Sequence, residues 1–305
     1  MFELTFLGTS ASAPSVDRGL AAAMLLHRDH RFLIDCGEGT QRQLLCSGLG
    51  FKKLDKVLLT HGHLDHILGL GGLVSTFARW EAVSGLVVYG GKWALERVRD
   101  LLQGVVFRGE EPPMAIDYRI VETGVIWESE HLIISAFPVA HRGPGCFGYV
   151  FQERSHHPFL AEVAQRLGVP AGPERRRLVE GETVVLADGT VIRPQQVLGA
   201  ELPGAKLVYV GDAARTDNLV EAVRAADVLV IEATYTADET DLASKFGHLT
   251  ARQAAELARA AEVKRLYLTH LSRRYSAKMI GEEARTIFPE TVVARDFDQV
   301  RITKG

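Results

Sequence analysis

The sequence reads as an α/β layered fold, and three observations predict it. Short apolar runs alternate with stretches of helical period in both halves of the chain. The 305 residues are 47% apolar and 24% charged, ordinary globular values that allow a substantial core. The residues richest in chemistry sit just past apolar runs, where open α/β sheets gather ligands.

The elements follow in order. Phe2, Leu4 and Phe6 alternate as a strand that stops at Gly8. Apolar runs at 21–27 and 32–35 predict neighbouring strands, 40–49 a short helix, and KVLLT at 56–60 a buried strand. The period turns helical over 67–80, returns to strand at LVVY (86–89) and is helical again over 92–102. Residues 116–151 are strand-rich, most clearly at 132–137 and 148–151. LVYV (207–210), VLVI (228–231) and RLYLT (265–269) are further strands, separated by helical stretches 217–225 and 250–261. A last helix over 280–288 ends before Pro289.

Composition excludes several classes. There are 35 basic and 38 acidic residues, net −3, so any nucleic-acid contact needs a locally concentrated basic surface. Cys36, Cys46 and Cys146 are odd in number and far apart, which argues against a disulfide framework and for a reducing compartment. No segment approaches the ~20 apolar residues of a membrane span, and the start lacks a signal-peptide pattern. A soluble cytoplasmic protein with no membrane partner is expected.

Residues 153–200 break the α/β rhythm. They hold Pro158, Pro170, Pro173 and Pro194, the run Arg175-Arg176-Arg177, and ETVVLADGTVI, where Asp188-Gly189 marks a hairpin turn. A surface loop with a hairpin is the plain expectation.

The strongest signal is Thr60-His61-Gly62-His63-Leu64-Asp65-His66, between a strand and a Gly-rich helix start. Three imidazoles and a carboxylate so close together need polar partners and do not suit an apolar core. Neutral imidazole and carboxylate suit Zn²⁺, and accept Mn²⁺ or Fe. His141 (PVAHRGPG), Asp212 (VYVGDA) and His270 (LYLTHLS) each follow an apolar strand. Singly they read as a helix cap or as hydrogen-bonded loop residues. With the 61–66 cluster they complete two metal sites, where Asp212 can bridge ions about 3.5–4 Å apart.

HGHLDH with His141, Asp212 and His270 resembles the metallo-β-lactamase superfamily. FLGTSASAP (6–14), LIDCGEGTQRQL (33–44), IEAT (231–234), GHLTARQAA (247–255) and THLSRRY (269–275) narrow the resemblance to the ribonuclease Z family, along essentially the whole chain. The resemblance implies one four-layer αββα domain over 1–305 carrying a protruding tRNA-binding arm at 153–200. It implies two Zn²⁺ per chain, with His61, His63 and His141 on the first ion, Asp65, His66 and His270 on the second, and Asp212 between them. Asp65 resembles the family's general base, and Glu232 with His248 its acid pair. Arg274 matches a phosphate-contacting arginine, although Arg273 stands beside it. Gly172-Pro173 before the hairpin resembles the family's arm, whose Arg175, Arg176 and Arg177 supply cations, although the arm's acids equal its six arginines in number. The implied partners are precursor tRNA and a second copy of the chain. The implied reaction is zinc-dependent removal of the 3′ trailer.

Three positions depart from the family pattern. Leu64 stands where Gly is usual, Ala213 where Thr is usual, and Pro14-Ser15-Val16-Asp17-Arg18-Gly19 keeps only the Pro and Arg of an end-sensing Pro-x-Lys-x-Arg-Asn loop. Two rival readings remain: a binuclear phosphodiesterase for cyclic nucleotides or other small diesters, and a metal-bearing RNA-binding protein without turnover.

Overall fold

Alternation along the strands builds two sheets whose inner faces share one core. The computed structural model describes residues 1–304. In the first sheet, β1 (Phe2–Gly8), β2 (Ala22–His27) and β3 (His30–Ile34) form an antiparallel meander. Beyond it β4 (Lys56–Leu58), β5 (Gly85–Gly90) and β6 (Ala115–Ile120) run parallel to β3. The second sheet holds β7 (Gly124–Glu128), β8 (Leu132–Pro138), β9 (Phe147–Glu153), β12 (Lys206–Tyr209), β13 (Val228–Glu232), β14 (Leu266–Thr269) and β15 (Thr291–Val293). Their spatial order is β15-β14-β13-β12-β9-β8-β7, with β12 to β15 parallel. In the first sheet β16 (Gln299–Ile302) pairs antiparallel beside β1.

The period of two sorts the side chains. Phe2, Leu4, Phe6, Ala23 and Leu25 of the first sheet share a buried cluster with Leu207, Tyr209, Val228 and Val230 of the second. Their strand neighbours Met24 and Leu33 point outward, to a layer with Leu44, Leu73 and Phe77. Those three lie on the helices α1 (Thr40–Cys46) and α3 (Leu70–Trp80), and α4 (Lys92–Arg99) adds Leu95 and Val98. On the far side Val208, Leu229 and Ile231 pack with α8 (Val220–Val223), α10 (Ala251–Ala260) and α11 (Ala277–Arg285). Helices cover both outer faces, which makes the αββα sandwich.

Several helix bounds differ from the periodicity, each for a local reason. The helix from Thr40 stops at Cys46 because Gly48 and Gly50 take positive φ. The stretch over 67–80 divides into α2 (Leu64–Ile67) and α3 at Gly69, whose α-carbon lies against the Gly37 carbonyl. After α4 the chain widens into a π-helical stretch, Asp100–Val106. The stretch over 217–225 is a single helical turn, and α11 starts early because Ser276 caps it by accepting from the Met279 N–H.

Residues 153–204 form a second compact unit, and here the expectation of a loop with a hairpin needs correction. The unit has helices α5 (Ala161–Arg166), α6 (Pro173–Val179) and α7 (Pro194–Val197) and the hairpin β10 (Val184–Val185)–β11 (Val191–Ile192). Ala164, Val169, Leu178, Val184, Ile192 and Val197 bury a small core of their own, too dispersed along the chain to show as periodicity. Gly172, at φ +141, turns the chain into α6 with Pro173 at its first position.

Candidate metal centre

Five strands of the two sheets end toward one place. His61, His63, Asp65 and His66 follow β4, His141 follows β8 and Asp212 follows β12. Glu232 ends β13, and His270 follows β14. Side chains that alternate along a strand converge once the strand stops, so ligands far apart in sequence meet here.

The donor atoms form overlapping groups within 4.8 Å: His61, His63, His141 and Asp212; Asp65, His66 and His270; and Asp212, His248 and His270. His63 Nδ1 lies 2.9 Å from His61 Nε2 and 3.2 Å from His141 Nε2, and His66 Nε2 lies 3.3 Å from His270 Nε2. Asp212 Oδ2 is 3.5 Å from His66 Nε2 and 3.7 Å from both His61 Nε2 and His141 Nε2. Asp65 Oδ2 stands 3.4 Å from His270 Nε2.

Asp212 is 3% exposed, and its Oδ1 is buried without a hydrogen-bond partner. With Oδ1 orphaned and Oδ2 ringed by imidazole nitrogens, the Asp212 carboxylate fits cations beside it, so the residues present suit divalent metal ions. Protonation agrees for most of the set. Burial pushes the imidazoles of His61 and His141 down and that of His63 down to about 4, leaving them neutral. Burial opposes ionisation of Asp212 and Asp65. Charge from His270 and His66 on Asp212, and the His270 hydrogen bond on Asp65, nevertheless hold both carboxyls below their usual range. His66 behaves differently: Asp212 and Asp35 outweigh its burial and push it well up, so a proton and a cation compete there.

An outer ring of partners fixes which nitrogen each histidine presents. Asp35 had no part in the sequence reading beyond its string, yet it is wholly buried and organises two ligands. Its Oδ2 lies 2.8 Å from His66 Nδ1 and accepts from the Thr60 hydroxyl, whose oxygen is 3.0 Å from His61 Nδ1. His141 Nδ1 lies 2.7 Å from the Gly247 carbonyl, and Thr234 Oγ1 lies 3.0 Å from His270 Nδ1. The available signal was a carboxylate directly after the apolar run FLI. Asp35 and His270 both adopt left-handed backbone, φ +57 and +55, conformations that cost free energy and cluster at functional sites.

Glu232 and His248 join at the same place. Glu232 Oε1 accepts from the Ala213 N–H at 2.8 Å and faces His248 Nδ1 at 2.9 Å, and its Oε2 accepts from Thr234. Glu232 outweighs burial and pushes His248 up to about 9, so the imidazole is protonated at neutral pH. His248 does not cap α10; Thr250 does, accepting from the Gln253 N–H. Leu64 is 52% exposed at the helical start of α2 and needs no glycine freedom. Gly62 is the constrained position of the motif, since a Cβ there would meet the Trp93 ring at 2.8 Å.

A cavity of about 690 Å³ opens over the cluster, lined by Arg97, Arg142, Arg273 and Arg274 among others. Arg97 donates to the Gly62 carbonyl and lies over the Trp93 ring, and Arg274 pairs with Glu239 at 2.7 Å. The structure places Arg175, Arg176 and Arg177 on α6 and not on a loop. Arg176 pairs with Glu180, Arg177 with Glu182, and Arg175 donates to the Val169 carbonyl.

A His/Asp cluster able to hold metal, set at strand ends between two sheets, defines a metallo-β-lactamase-fold protein, and sequence comparison agrees. Residues 16–157 match the model of the metallo-beta-lactamase superfamily and 192–271 that of the beta-lactamase superfamily domain. Ribonuclease Z of Bradyrhizobium diazoefficiens is 44% identical over 98% of this chain and 99% of its own. Ribonuclease Z of Archaeoglobus fulgidus is 38% identical over 99% and 98%. The crystal structure of the short form of human tRNase Z superposes with a TM-score of 0.68 at 25% identity, covering 98% of each chain. The chain belongs to the ribonuclease Z family.

Proposed function

We infer that the protein is an endoribonuclease that removes the 3′ trailer from precursor tRNA by hydrolysing one phosphodiester. One observation carries this reading in a chain with full-length ribonuclease Z relatives: His248, oriented by buried Glu232, opens on the same cavity as His63, Asp65 and Asp212 of the His/Asp cluster.

The ligand set supports two divalent ions per chain, and we propose zinc on the chemistry of five imidazoles and two carboxylates. His61, His63 and His141 would hold one ion and Asp65, His66 and His270 the other, with Asp212 between. When bound, such ions neutralise charge on the phosphodiester and acidify water. The chain supplies the proton inventory. Water adds to phosphorus and the bond to the 3′-oxygen breaks. His248 Nε2 gives that oxygen a proton, leaving a 3′-hydroxyl on the tRNA. Glu232 keeps Nδ1 protonated and the ring aligned. Asp65, held as a carboxylate with its Oδ2 accepting from the Ser12 N–H, orients the water and accepts its proton.

The unit 153–204 is proposed as the tRNA-gripping arm, with Gly172-Pro173 and Arg175 to Arg177 at its α6, and Arg274 as a phosphate contact in the cavity. The family resemblance supports a homodimer. The cytoplasm is proposed from the cysteines: among the described residues all three are free, and burial pushes Cys36 up to about 12 and Cys146 up to about 11, leaving inert thiols. No described helix is long and apolar enough to cross a membrane.

The test is end-mapping of the products of one defined precursor tRNA, with and without chelator, alongside bis-p-nitrophenyl phosphate. Metal-dependent release of an intact trailer and a 3′-hydroxyl tRNA is expected. Hydrolysis of the small diester alone would favour the phosphodiesterase reading. Binding of tRNA without any turnover would favour the non-catalytic one.

A further inference from the structure

Beside the cavity over the His/Asp cluster lies a second one of about 650 Å³, and Ser272 and Arg273 line both. The charged groups of this second cavity fall into two kinds. Arg18 and Asp296 are occupied. The Arg18 guanidinium donates to Thr9 Oγ1 and the Ala294 carbonyl, while Asp296 accepts from the Thr9 hydroxyl, the Gly19 N–H and Gln43. Arg18, which the resemblance places in an end-sensing loop, is therefore turned into the fold. Arg273 and Arg295 differ. Both are exposed, and among the described residues neither side chain has a carboxylate or hydrogen-bond partner. The nine-residue helix α11 begins at the same cavity with Ser276, adding the positive end of its dipole. Two carboxylates oppose them, the exposed Asp17 and the hydrogen-bonded Asp296, beside which Arg18 lies.

A guanidinium offers donors in a planar fork that matches phosphate oxygens, so two unpaired forks in one concavity select a phosphate over a neutral ligand. A polynucleotide strand carries a phosphate on every nucleotide. With one at the metal centre, its neighbour is brought past the shared wall at Arg273. We propose that the second cavity is a phosphodiester subsite, in which Arg273 and Arg295 hold the backbone phosphate of a nucleotide flanking the cut.

The proposal rests on the RNA-cleaving reading and is tested by the salt dependence of KM for one precursor tRNA across a KCl series, with the zinc-loaded full chain. Arg273→Ala and Arg295→Ala are each expected to raise KM several-fold, with kcat far less affected. Each should lower the slope of log(1/KM) against log[KCl] by about one. Arg273→Lys should restore the slope, because it restores the charge, with only part of the affinity. Asp17→Asn should lower KM by removing one opposing charge. Unchanged slopes in both alanine variants, or a loss carried by kcat at constant KM, would overturn the subsite. Wild-type protein that fails to cut the precursor would overturn the RNA reading itself, so the two failures are distinct.

Discussion

The metal centre and the arginine run of α6 are both dense in charge, and they are built on opposite rules. In the centre Asp212, Asp35 and Glu232 are buried, and each carboxylate is surrounded by imidazoles, hydroxyls or backbone N–H groups. Desolvation makes every such partner matter, because a carboxylate left alone there would be strongly destabilising. On α6 the guanidinium groups of Arg176 and Arg177 are exposed and meet glutamates in solvent, where ion pairs contribute little and are screened by salt. The first arrangement ties each carboxylate to several fixed partners. The second leaves a cation free to exchange a glutamate for a phosphate. The buried centre therefore suits positional chemistry, and the solvated α6 suits the adaptable, salt-sensitive contact proposed for the unit 153–204.

The largest effect should come from Asp65→Ala, which removes the proposed ligand and water-orienting carboxylate together. Single-turnover cleavage of precursor tRNA should slow by several orders of magnitude. A modest loss would mean that the His/Asp set tolerates vacancies.

His248→Ala should cost on the order of 10²–10⁴ in kcat on tRNA. A p-nitrophenyl leaving group needs no proton, so bis-p-nitrophenyl phosphate should be largely spared. Equal damage to both substrates would remove the acid role.

His66→Ala and His270→Ala should empty mainly one ion site, leaving His61, His63 and His141 in place, so metal analysis should fall from about two ions per chain toward one. Asp35→Asn should weaken metal affinity by roughly 10–100-fold through His66, read by chelator competition. Full occupancy in all three variants would break the ligand assignment.

The arm offers the complementary test. Gln152 and Lys206 are paired neighbours of β9 and β12, so 153–204 can be replaced by a short turn that keeps the register. Such a protein should keep its hydrolysis of bis-p-nitrophenyl phosphate while KM for precursor tRNA rises steeply and loses salt sensitivity. Equal loss of both activities would make the unit a support of the fold. The smallest effects should be those of Arg176→Ala or Arg177→Ala alone, within a few-fold of wild type in KM.

What was legible in the sequence was local and periodic. Alternation at Phe2, Leu4 and Phe6 and the buried strands 207–210 and 228–231 show themselves because each residue's burial is set by its neighbours two positions away. HGHLDH is equally plain, since four polar groups packed between a strand and a helix have no apolar explanation. His141, Asp212 and His270 stood out as polar residues past strand ends that complete two metal sites with the motif, and the family resemblance distributed them between the two ions. Other features required the assembled chain. Asp35 looks like any residue after a strand until His66 and the Thr60 hydroxyl close on it. The core of 153–204 draws single residues from several short elements, below the reach of any period. Arg273 and Arg274 are indistinguishable as letters; Glu239 occupies one and leaves the other open. Each of these was decided by tertiary structure, because burial and pairing between distant residues depend on where the chain returns.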